Sequence, residues 1–62
     1  MQAQIIRIPI SGPLQRWSLE RRTGPDQLWR TDHTGDGDSR EPEGLRQLAA
    51  REGLELVYDE SA

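Results

Sequence analysis

Eight arginines, eleven carboxylates and one histidine carry the ionic chemistry of this 62-residue chain, which has no cysteine and no lysine. Without cysteine there is no disulfide, thiolate nucleophile or cysteine-ligated zinc. His33 stands alone, which excludes the usual His-rich metal sites. Neither Ser11, Ser18, Ser39 nor Asp32 forms a nucleophile arrangement with it, because neighbours in sequence are not a triad. Arginine is what remains in quantity, and a guanidinium fork grips carboxylates or phosphates bidentately. The charges are also unevenly spread. Residues 1–31 hold five arginines against two acids, and residues 32–62 hold three arginines against nine.

The second constellation is Asp32 to Glu43, DHTGDGDSREPE. Counted as a twelve-residue loop, it has Asp32 at position 1, Asp36 at position 5, Gly37 at the turn position 6 and Glu43 at position 12. A hard cation needs several carboxylate oxygens and a sharp glycine turn to converge them, so the stretch resembles an EF-hand-like calcium loop over these twelve residues. It departs from that pattern at Thr34, Ser39 and Arg40, and a strand rather than a helix enters it. The metal candidates are therefore Asp32, Asp36 and Glu43, set against the simpler reading of a solvated polar loop.

Positioning these groups falls to one helix and four strands. Glu41 to Leu54 is the only convincing helix, with Leu45, Leu48 and Ala49 at i, i+3 and i+4. Pro42 suits its first turn, Glu41 and Glu43 complement its positive end, and Gly53 reads as the left-handed residue past its C-terminus, at about residue 52. Residues 3–10 read as a first strand with Ile6, Ile8 and Ile10 on one face, and Pro9 favours its lying at an edge. Residues 14–22 form a second, with Trp17 and Leu19 on one face. Residues 27–32 form a short third, with Trp29 inward beside Trp17. Residues 54–58 form a fourth, and Asp59 to Ala62 reads as a frayed end. The expected fold is a single α+β domain over 1–62, ordered βββαβ: an antiparallel three-stranded meander, a helix packed on one sheet face, and a fourth strand parallel to the third that joins beside either the first or the third.

With Ile6, Ile8, Trp17, Leu19, Trp29, Leu54 and Leu56 toward the helix, the period of two sends Arg7, Arg16, Arg22 and Arg30 to the opposite face. These four are the candidate partner-binding residues. The expectation is a non-enzymatic binding or regulatory module that meets another protein through this face or through a sheet edge. A nucleic-acid module using the same arginines is the alternative, opposed by the net charge of −3 and by the lack of an aromatic platform on that face. Calcium binding by the Asp32–Glu43 loop is the second alternative. No cofactor motif is present, and a chain this short has little room for a water-excluding cleft. Residues 1–15 lack the pattern of a signal peptide and no run is long enough to span a bilayer, which points to the cytoplasm. Few apolar residues leave a narrow stability margin. A weak homodimer through the edge of the fourth strand, burying Val57 and Tyr58, would widen it.

Overall fold

The computed structural model describes residues 1–37 and 41–62. Four strands and one helix follow in the order β1 (Gln2–Ser11), β2 (Leu14–Arg22), β3 (Arg30–Gly37), α1 (Glu41–Arg51) and β4 (Glu55–Asp59). They form one sheet in the order β3-β2-β1-β4, with α1 against one face and touching all four strands. This is the expected α+β architecture of one helix on a sheet.

β1 and β2 are joined by a two-residue turn, Gly12–Pro13. Gly12 takes φ 54° and Pro13 supplies a fixed negative φ, the pairing that suits the right-handed twist of a hairpin. β1 and β2 run antiparallel, as do β2 and β3. The fourth strand enters on the far side of β1, parallel to it from Gln2↔Glu55 to Ile5↔Asp59. β1 is therefore interior over its first half, contrary to the edge position expected from Pro9. Its second half is an edge, because β4 stops at the level of Ile5. The Ile5 carbonyl accepts from Glu60 N–H on the β4 side. Main-chain groups alternate along a strand, so Arg7 and Pro9 point the same way, into the space past β4. The hydrogen-bond donor that Pro9 lacks would have had no strand partner there.

α1 ends as its sequence predicts. Gly53 adopts φ 71°, its N–H donates to Ala50 O at 3.1 Å, and Leu54 N–H donates to Ala49 O at 2.9 Å. This pair of bonds is the Schellman arrangement. It turns the chain directly into β4 and seats Leu54 on the core.

The core consists of Ala3, Ile5, Trp17, Leu19, Leu45 and Ala49, with Leu48, Leu54 and Leu56 packed around it. Two sequence expectations fail here. β1 has the opposite phase: Ala3 and Ile5 face the helix, while Ile8 and Ile10 are exposed. An eleven-residue helix is about 16 Å long and covers only one end of a ten-residue strand. The uncovered end is the one that holds Ile8 and Ile10. β3 begins three residues later than expected, so Trp29 lies outside it, half-buried, and does not pair with Trp17 in the core. Register shifts between Leu19 and Glu20 on β2, and between Ala3 and Gln4 on β1, set Asp32 and Val57 outside the pairing.

The C-terminus is not frayed. Arg46 Nε on α1 meets Asp59 Oδ2 at 2.5 Å, Ser61 N–H donates to Asp59 Oδ1 at 2.9 Å, and Arg46 Nη2 reaches Ser61 Oγ. Ala62 N–H closes the turn on Asp59 O at 3.1 Å. The clamp fixes the end of β4 to the helix above it. Burial alone would raise the Asp59 pKa. The hydrogen bonds from Ser61 and Arg46, together with the Arg46 charge, outweigh burial and hold it below its ordinary 3.8.

Candidate functional site

The four arginines expected on one face do not share it. Directly opposed residues in a sheet point to the same side. Arg16 pairs with Ile8 and Arg22 with Gln2, which places both on the face away from the helix. Arg7 pairs with Trp17, and Arg30 with Arg21, on the helix side. Arg7 is occupied there by Glu60 at 3.4 Å, a largely exposed pair of little energetic weight. The separation follows from the inverted phase of β1 and the late start of β3. On the open face Arg16 and Arg22 stand among Glu20 and Glu55, with Asp36 the β3 register partner of Arg16, so that face is not basic.

The arginines gather instead at the end of the sheet, where β2 hands over to β3. A recess of about 500 Å³ opens there between Met1, Arg21, Arg22, Gln27, Leu28 and Arg30. The connection that frames it begins with the expected Thr23-Gly24-Pro25-Asp26 turn, closed by Gln27 N–H on Gly24 O at 3.0 Å. Each arginine has a distinct role. Arg21 Nη1 lies 3.4 Å from Asp32 Oδ1 and 3.2 Å from Glu52 Oε1, so its charge is compensated and it ties β2 to β3 and to the end of α1. Arg22 lies 4.1 Å above the centroid of the Trp29 ring and donates Nε to Gln2 Oε1 at 2.8 Å. These contacts hold the guanidinium in place while leaving its terminal nitrogens to a ligand. Arg30 is exposed, and no described carboxylate pairs with it. Beside them Leu28 is 88% exposed, the barest large apolar side chain among the described residues.

Two uncompensated guanidinium groups, one of them preset by stacking, next to a bare leucine can bind a carboxylate or phosphate carried on a partly apolar group. No family model, curated protein or solved structure matches this chain. The site is therefore read from its own geometry. Sequence reasoning named Arg22 and Arg30 and missed Arg21, Leu28 and the outward placement of Trp29. The available signal was the adjacent Arg21-Arg22 pair at a strand end, one face each, immediately before a strong turn.

Two of the metal candidates, Asp32 and Asp36, stand apart on β3. Asp32 is held by Arg21 where β3 departs from regular pairing, and Asp36 is the backbone register partner of Arg16 further along the same strand. Four residues of extended chain separate them by about 13 Å, whereas a calcium loop curls its first five positions around one point. Glu43 lies on the exposed side of α1. Asp38, Ser39 and Arg40 lie outside the described residues, and among the described residues no group of three or more metal-ligating side chains comes together. His33 is a β3 residue opposite Leu19. No helix among the described residues is long and apolar enough to cross a membrane.

Proposed function

We propose that this chain is a non-enzymatic binding module that recognises another protein by surface contact, taking an acidic side chain of that partner into the recess between Arg22 and Arg30. The observation that carries the reading is the pair of uncompensated arginines flanking exposed Leu28. The Arg22 fork supplies directional hydrogen bonds, Arg30 supplies a second positive charge, and Leu28 supplies apolar contact for the residue beside the acid. Arg21, Asp32 and Glu52 form the supporting network and do not contact the partner.

Nucleic acid is the second reading, and one feature counts against it. A single-stranded binder stacks successive bases on open aromatic rings, and one face of Trp29 is already covered by Arg22. Isothermal titration with a Glu/Leu-rich peptide and, separately, with a single-stranded oligonucleotide distinguishes the two. The peptide should bind, and Arg22→Ala or Arg30→Ala should each weaken it by about one to two orders of magnitude, the loss of one charge-assisted contact worth ~1.5–3 kcal/mol. Tighter oligonucleotide binding, with a log–log salt slope of about 0.7 per phosphate engaged, would transfer the assignment to nucleic acid.

A further inference from the structure

The recess at the end of the sheet is reached from both of its faces. Arg22 is the register partner of Gln2, on the face away from α1, and Arg30 is the partner of Arg21, on the helix side. Both arginines line the recess, so their guanidinium groups approach it from different sides of the sheet's end. Arg22 already gives Nε to Gln2 Oε1 at 2.8 Å and one face to Trp29 at 4.1 Å, which leaves its terminal nitrogens for a ligand. Thr23, Gln27 and Thr31 complete the lining.

We infer that the acid this recess is built for is a phosphorylated side chain of the partner protein, a phosphomonoester in place of a carboxylate. The inference rests on the acidic-partner reading above and narrows it to one chemistry. Three observations carry it. The first is charge. Among the described residues no carboxylate lines the recess, and the charge of Arg21 is spent on Asp32 and Glu52. Arg22 and Arg30 therefore present two positive charges. A carboxylate or a nucleic-acid diester cancels only one of them, whereas a phosphorylated serine or threonine carries about −1.5 to −2 at pH 7 and cancels both.

The second observation is direction. A carboxylate has two oxygens in one plane and is best held by a single fork. Two guanidinium groups arriving from different sides need acceptors that point in different directions, and the three terminal oxygens of a tetrahedral phosphate provide them. The third is the supply of further donors. The Thr23 and Thr31 hydroxyls and the Gln27 amide bring more N–H and O–H groups to the lining than two carboxylate oxygens can use. Exposed Leu28 then meets the residue beside the phosphate. The chain would in this way read whether its partner has been phosphorylated.

The test is isothermal titration of the full chain with three leucine-flanked peptides that differ only at the central residue: serine, glutamate or phosphoserine. The phosphoserine peptide should bind at least tenfold more tightly than the glutamate peptide, and glutamate more tightly than serine. Arg30→Ala removes the second charge and should shrink the preference for phosphoserine over glutamate to less than about threefold. Phosphoserine within about threefold of glutamate in the unmodified chain overturns the inference and leaves the acidic-partner reading standing. A preference undiminished in Arg30→Ala also overturns it, because the second guanidinium is then not its source. If neither acidic peptide binds more tightly than serine, both readings fall. Adenosine 5′-monophosphate carries the same monoester without a peptide, and tighter binding of it than of the phosphoserine peptide would overturn the assignment to a protein partner.

Discussion

Replacing one isoleucine by valine at two positions on the same strand separates the observed phase of β1 from its alternative. Ile5 is fully buried against Leu19, Leu45 and Ala49, whereas Ile8 lies beyond the reach of α1. Removing one methyl group from a well-packed site costs about 0.5–1.5 kcal/mol, and a change at an exposed site usually stays within about 0.5 kcal/mol. A domain of this size has roughly 3–9 kcal/mol in total, so even the smaller loss is measurable. At roughly 4–8 °C per kcal/mol for such a domain, Ile5→Val should lower Tm by about 2–12 °C. Ile8→Val should move it by less than about 4 °C. Ile5→Ala, at about 2–5 kcal/mol, should remove a large part of that total and lower Tm well beyond Ile5→Val. The assay is far-UV circular dichroism melting at low micromolar protein, where association does not contribute. An Ile8→Val loss equal to or larger than that of Ile5→Val would refute the assignment of the core.

Three further outcomes follow from the same structure. Gly53→Ala should cost about 1–2 kcal/mol in urea denaturation, since φ 71° strains any residue with a Cβ; the added methyl itself meets nothing within 4 Å, so space is not the cause. Asp59 has a lowered folded-state pKa, so its contribution is complete above its ordinary 3.8 and is lost as pH falls through the lower folded value. Asp59→Asn should therefore destabilise the protein at pH 7 and flatten the acid limb of a Tm-against-pH curve below pH 4. Arg30→Ala should leave Tm unchanged within error, whereas Arg21→Ala should lower it, because Arg21 joins three elements and Arg30 joins none described.

Much of the fold is legible in local chemistry, and the failures have specific causes. The helix, its Gly53 terminus and the bounds of β2 follow from period and turn residues alone. The phase of β1 does not, because the strand carries two competing alternations. Gln2-Ala3-Gln4-Ile5 favours odd residues inward, while Ile6-Arg7-Ile8-Pro9-Ile10 favours even ones. Which half is covered depends on where the helix ends over the sheet, and that is a tertiary fact. The bounds of β3 are not legible because Leu28 and Trp29 resemble a strand core, while the strand itself, Arg30–Gly37, contains no aliphatic residue. Its pairing is imposed by the β2 edge and not by its own composition. The same slip dispersed the arginine face. One strand with its phase reversed moves Arg7, and another with shifted bounds moves Arg30. Neither error could be seen without the register.

The central claim is that Arg22 and Arg30 form the contact point for an acidic partner. The most direct measurement is a two-dimensional NMR titration of the uniformly labelled chain with a Glu/Leu-rich peptide, following both backbone amides and arginine side chains. Saturable shifts confined to Arg22, Leu28, Trp29 and Arg30, and saturating at least tenfold less readily in Arg30→Ala, are the predicted result. Shifts centred on Arg7 and Arg16 with the recess silent, or no saturable shift up to millimolar peptide, would contradict it.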